Sequence, residues 1–129
     1  MSKLNKDNVT GICALLVHAA KIDEIYSEHE KDLIKSFIKS YLKDGDVEDT
    51  LKKAEEIEKN SNQLLNFTNI IKRNSIDIKK DIIEHLWKVI ISDKTVDQYE
   101  SNLMRRICGL IYFPDKECAE IKMKLVNSK

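Results

Sequence analysis

Apolar residues recur along most of the chain at spacings of three and four residues, and almost no stretch alternates between apolar and polar positions. This periodicity predicts seven amphipathic α-helices and therefore an all-α fold. The fifth helix, which contains Ile82, Leu86 and Ile90, is apolar around so much of its circumference that we expect it at the centre of the bundle. The third and fourth helices have thin apolar faces and are expected to be short outer elements.

Capping residues mark where these helices begin. Ser27, followed three residues later by Glu30, predicts a capping box at the start of the second helix. Asp97 and Glu100 repeat this pattern at the start of the sixth helix. The other predicted starts lie at Asn8, Asp46, Ser61, Ser75 and Pro114.

Two segments of the chain repeat one another. Residues 16–38 and 86–108 align without a gap at a constant offset of 70 positions (93 − 23 and 100 − 30), which places Asp23 on Asp93 and Glu30 on Glu100. The apolar positions repeat in the same register. This pattern predicts an internal duplication, in which residues of about 9–42 and 79–112 form two pseudo-symmetric helix pairs.

Length and composition narrow the class of protein. The 129 residues fit a single domain, 1–129, with one core. The 22 basic and 22 acidic side chains leave a net charge of +0, so nucleic acid is not an expected partner. Cys13, Cys108 and Cys118 lack a C-x-x-C spacing and lie on apolar helix faces, which favours free thiols in a reducing cytoplasm. No stretch approaches the roughly 20 apolar residues of a transmembrane segment.

The repeated segments also carry a family resemblance. The patterns A-x-x-x-D-x-x-x-S-x-x-E at residues 19–30 and V-x-x-x-D-x-x-x-D-x-x-E at residues 89–100 resemble those of TerB-like tellurite-resistance proteins. The resemblance extends from about Val9 to Leu125. It implies a compact bundle of about seven helices with two pseudo-symmetric repeats, and a role in bacterial stress responses linked to metals, tellurite or phage.

Acidic residues at the two bends form the candidate site. Asp23 and Asp93 fall at the C-terminal ends of helices, where the helix dipole disfavours a bare carboxylate, so we expect a compensating group. In one interpretation each aspartate caps the next helix, while Glu30 and Glu100 complete their own capping boxes. In the other, Asp23, Glu30, Asp93 and Glu100 bind Ca²⁺, Mg²⁺ or Mn²⁺ together with exposed backbone carbonyls.

The two bends are not equivalent. TerB-like proteins usually have glycine directly after the bend aspartate, whereas this chain has Glu24 and Lys94. Glu24 and Glu28 add negative charge to the first bend, and Lys94 can neutralise Asp93 at the second. We therefore expect a divalent cation to bind at the first bend before the second.

Two functional hypotheses follow. The first is a non-enzymatic, cytoplasmic stress-response module with a divalent cation at the acidic bends, because no nucleophile, base and orienting acid can be assembled from the sequence. The alternative is a metal-free helical adaptor that binds a protein partner. Lysines recur every fourth residue along one flank of the second helix and offer such a partner a charged face. They are Lys31, Lys35, Lys39 and Lys43.

Overall fold

The computed structural model describes residues 6–21, 27–42, 47–60, 65–91 and 98–127. These residues form seven α-helices and no strand, which confirms the all-α fold class. The helices are α1 (Lys6–Ala20), α2 (Glu28–Tyr41), α3 (Val47–Asn60), α4 (Leu65–Lys72), α5 (Ile76–Ile91), α6 (Gln98–Leu110) and α7 (Asp115–Asn127). None of these helices combines the length and the apolar character that crossing a lipid bilayer demands.

Two helices occupy the middle of the bundle. The predicted central helix α5 buries nine of its 16 residues and packs against α1, α2, α4 and α7. The first helix is buried to a greater extent than α5: α1 buries eleven of its 15 residues and packs against α2, α3, α4 and α5. Between Val9 and Val17 the chain has no charged residue, so α1 can turn nearly every face to a neighbour.

The third helix corrects the prediction of a short outer element. Whereas α4 has 8 residues, α3 has 14, as many as α2. Its narrow apolar stripe, including Val47, Leu51 and Ala54, is buried against α1 and α2. A narrow apolar stripe at helical spacing is therefore enough to pack a 14-residue helix against α1 and α2.

The caps that the structure describes agree with the sequence pattern. Ser27 is the N-cap of α2 and forms the predicted capping box with Glu30. Ser75 precedes α5 and accepts the Ile78 amide at its side chain, and Pro114 accepts the Cys118 amide at its carbonyl, directly before α7. The predicted start at Asn8 is two residues too late, because α1 begins at Lys6. The three other predicted caps, Asp46, Ser61 and Asp97, lie outside the described residues.

Buried hydrophobic residues from all seven described helices form one connected cluster. Equivalent positions of the two sequence repeats are buried in both copies. Ile34, Phe37 and Ile38 of α2 correspond at the offset of 70 to Met104, Ile107 and Cys108 of α6, and all six are buried. The two bends fall largely outside the described residues, so the pseudo-symmetry of the helix pairs stays a prediction, as does the single domain 1–129.

Candidate functional site

Glu30 lies in the first turn of α2, which follows the first bend in the sequence. Its Oε1 accepts a hydrogen bond from the backbone N–H of Ser27 at 2.8 Å, and Ser27 Oγ accepts one from the backbone N–H of Glu30 at 3.2 Å. The Glu30 residue is only 4% exposed. Its negative charge also lies at the positive end of the α2 dipole. The capping role that the sequence predicted for Glu30 is therefore confirmed.

Of the remaining acids of the predicted cation sites, Glu28 is the one whose side chain lies within the described residues. The Glu28 side chain is 83% exposed and pairs with Lys31 Nζ at 3.6 Å. Asp23, Glu24 and Asp93 lie outside the described residues, as does the side chain of Glu100 in α6. Within the described parts of the chain, no three His, Cys, Asp or Glu residues are grouped closely enough to hold a metal ion. Cation binding at the bends stays a prediction.

A charged groove runs between α2 and α3. Its volume is about 460 Å³, and we call it the α2–α3 groove. Its lining residues are Glu28, Lys31, Lys35, Glu48, Asp49, Leu51, Lys52 and Glu55. A salt bridge of 2.8 Å between Lys35 Nζ and Glu48 Oε2 crosses it. The hydrogen bond and charge of Glu48 raise the pKa of Lys35, although partial burial acts in the opposite direction.

A second ionic contact joins the C-terminal end of α3 to α1. Glu58 accepts from Lys21 Nζ at 3.0 Å and lies 3.3 Å from His18 Nδ1. Both partners of Glu58 lie at the C-terminal end of α1, where positive charge is favoured by the helix dipole. A smaller depression of about 300 Å³ lies here and shares Lys31, Lys52 and Glu55 with the α2–α3 groove.

The predicted lysine stripe on α2 is not a uniform cationic face. Lys31 and Lys35 direct their ammonium groups into salt bridges with Glu28 and Glu48. Lys39 is exposed, and the fourth lysine of the stripe lies outside the described residues. The sequence pattern identified the lysines on one helix but did not show which acids on α3 would face them.

A polar cluster that the sequence analysis missed joins α2 to α5. The Tyr41 hydroxyl donates to Asp81 Oδ2 at 2.6 Å. One turn along α5, His85 Nδ1 donates to the backbone carbonyl of Asp81 at 2.8 Å, and the Phe37 ring packs against both Tyr41 and His85. Burial, followed by the hydrogen bond and charge of Asp81, raises the pKa of Tyr41 above its usual range. Tyr41 is thus held as a neutral donor.

Family comparison identifies the kind of protein that carries these features. The profile of the family described as tellurite resistance protein TerB matches residues 10–123. The chain belongs to the TerB family. No curated protein and no solved structure matches it significantly. The TerB match begins in α1 and ends in α7, so it includes both acidic bends and the α2–α3 groove.

Proposed function

We propose that this TerB-family protein is a non-enzymatic, cytoplasmic stress-response module that binds a divalent cation, Ca²⁺, Mg²⁺ or Mn²⁺, at the bend between α1 and α2. The observation that carries the proposal is the buried Glu30 carboxylate. Carboxylates are rarely buried in proteins, because the loss of hydration is costly, and here the hydrogen bond from Ser27 N–H contributes to offsetting that cost. Glu30 is fixed by the Ser27 capping box directly after the bend, so its orientation is set before an ion arrives.

The proposed ligand set consists of oxygen atoms around the first bend. Asp23 and Glu30 are its main members, with Glu24 and Glu28 as secondary ones. Carboxylates of this kind, supplemented by backbone carbonyls and water, are the ligands that hard divalent cations prefer. Asp93 and Glu100 form a weaker second site, because Lys94 follows Asp93 in the chain.

Thermal unfolding with and without cations tests this proposal. We expect calcium, magnesium or manganese to raise the melting temperature of chelator-treated protein, because a ligand at about 100 times its dissociation constant adds about 2.7 kcal/mol to the free energy of unfolding. Asp23→Asn should abolish most of the shift. Asp93→Asn is the matched control and should retain it. Equal losses in the two variants would contradict the preference for the first bend, and no shift with any ion would overturn the cation proposal.

A metal-free adaptor that binds a protein partner is the second candidate function. The α2–α3 groove favours it, because the groove offers lysines and carboxylates side by side. A partner segment with both acidic and basic side chains would complement such a surface. If no divalent ion stabilises the protein, the acidic bends are structural and this second function takes precedence.

A further inference from the structure

The surface formed by α4 and the C-terminal part of α6 carries basic side chains and no acidic ones. These two helices pack against each other. Residues 59–76 and 101–114 include no Asp or Glu, although 22 of the 129 residues of the chain are acidic. The same two segments contain all the arginines of the chain, which are Arg73, Arg105 and Arg106. Lys72, the last residue of α4, precedes Arg73.

These cations surround an exposed aromatic ring at the ends of α4 and α6. Lys72 Nζ lies 5.6 Å from the centre of the Tyr112 ring, which is within cation–π distance. Arg105 and Arg106 are exposed on α6, within about 8 Å of its C-terminal end along the helix axis. Arg73 is exposed directly after α4. We call Lys72, Arg73, Arg105, Arg106 and Tyr112 the basic face.

The four cations of the basic face are not neutralised by neighbouring acids. Within the part of the chain that the structure describes, no carboxylate oxygen lies within 4.0 Å of their side-chain nitrogens. Lys21 and Lys35, by contrast, form salt bridges of 3.0 and 2.8 Å. The acids that follow the two segments in the sequence, Asp77 and Asp115, lie in the first turns of α5 and α7, where the helix dipole stabilises them. A protein of net charge +0 thus has a local excess of positive charge on this face.

Tyr112 occupies a backbone position that normally belongs to glycine. The N–H of Phe113 donates to the Cys108 carbonyl at 2.9 Å, and the N–H of Tyr112 donates to the Gly109 carbonyl at 3.4 Å, so α6 ends in a Schellman motif. Tyr112 is the left-handed residue of this motif (φ 59°), where glycine carries no steric cost. The residue is also 71% exposed. A large aromatic residue that is both strained and exposed is characteristic of functional positions.

We propose that the basic face binds an acidic segment of a partner protein. Arginine pairs with carboxylates through two parallel hydrogen bonds, and arginine and tyrosine are the residue types that most often dominate the binding energy of protein interfaces. Single-stranded nucleic acid, the competing polyanion, is bound by stacking on successive aromatic rings, whereas Tyr112 is the only exposed aromatic residue among those that the structure describes. The basic face shares no residue with the first bend or with the α2–α3 groove, so this inference depends on neither proposed function.

Nuclear magnetic resonance titration of the isotopically labelled full chain with a synthetic glutamate-rich peptide tests the proposal. We expect saturable shifts of the amide resonances of Lys72, Arg73 and residues 105–112, and an affinity that falls as salt is added, because salt screens the ion pairs. The same peptide with glutamine in place of glutamate should cause no shifts. Shifts confined to α2 and α3, no shifts at all, or tighter binding of single-stranded DNA of equal charge would overturn the proposal.

Charge-reversal variants separate the basic face from a general effect of net charge. Arg105→Glu combined with Arg106→Glu should weaken peptide binding about tenfold or more, because two attractive charges become repulsive. Lys52→Glu combined with Lys53→Glu, at exposed residues of α3, is the matched control. It changes the net charge by the same amount and should retain most of the affinity. Equal losses in the two double variants would overturn the assignment of the binding surface.

Substitutions of Tyr112 distinguish a binding role from a structural one. Tyr112→Gly should keep or raise the melting temperature, because glycine accepts the left-handed conformation without strain, and should still weaken peptide binding severalfold. Tyr112→Phe keeps the ring and should bind like the wild-type protein. Full affinity in Tyr112→Gly would contradict the role of the ring. The resonance shifts of the wild-type protein locate the binding surface even if a variant folds poorly.

Discussion

At the scale of single residues, one short hydrogen bond shows how two partly buried polar side chains join neighbouring helices. The Tyr41 hydroxyl spans from α2 to Asp81 on α5 over 2.6 Å, and the carboxylate acceptor makes the bond stronger than a neutral pair. Phe37 and His85 pack around it. The bond therefore links the end of α2 to the central helix in a specific register.

Tyr41→Phe should lower the free energy of unfolding by about 1–2 kcal/mol, because Asp81 loses its donor while the ring is kept. Burial, together with the bond to Asp81, raises the pKa of Tyr41 in the folded state, so the contribution to stability is complete below the unfolded pKa of about 10 and declines as pH rises further. Urea unfolding at neutral and alkaline pH checks both effects. Tyr112→Phe, at a residue 71% exposed, is the control and should change little. Equal effects of the two substitutions would contradict this account.

At the scale of helices, a glycine of α1 lies against a side chain of α4. A Cβ atom added at Gly11 would lie 2.5 Å from Cδ1 of Ile70, whereas one at Gly109 in α6 would meet nothing within 4 Å. Both glycines lie within helices, where alanine is favoured by up to about 1 kcal/mol. Only at Gly11 does packing of a neighbouring helix oppose that preference.

Gly109→Ala should therefore raise the free energy of unfolding by about 0.5–1 kcal/mol, and Gly11→Ala should fail to show this gain. Ile70→Val removes the Cδ1 atom that causes the clash. In that background Gly11→Ala should recover a gain of about 0.5–1 kcal/mol. The double-mutant cycle is measured by urea unfolding. If Gly11→Ala were equally stabilising with Ile70 present, the close approach of α1 and α4 would not limit this position.

The sequence predicts a structural feature when the interactions that produce it lie within one helical turn, and does not when they join different helices. The starts of α2, α5 and α7 follow from Ser27, Ser75 and Pro114, whose caps involve residues within one turn. The contacts of Lys35 with Glu48 and of Tyr41 with Asp81 join different helices, so no spacing within one helix reveals them. The Glu30 cap joins residues three positions apart and could therefore be predicted. Binding of a cation by Glu30 and Asp23 stays a proposal.

At the scale of the whole molecule, the position of α1 determines how the two sequence repeats depend on one another. Although α1 belongs to the first copy, it packs against α5 of the second and against α3 and α4, which lie between the copies. Core residues of all seven described helices form one cluster. Loss of packing around α1 therefore exposes apolar surface in both copies at once.

This arrangement predicts one cooperative unfolding transition for the described bundle. Leu16→Ala, at a fully buried position of α1, should lower the free energy of unfolding by about 2–5 kcal/mol and move the urea midpoint. Trp87 fluorescence reports on α5, and far-ultraviolet circular dichroism reports on all helices. Both signals should shift together, because α1 and α5 share the core. Met123→Ala, on an exposed face of α7, is the control and should leave the midpoint nearly unchanged. If Leu16→Ala moved the dichroism transition but not that of Trp87, the two repeats would unfold separately and the shared core would not couple them.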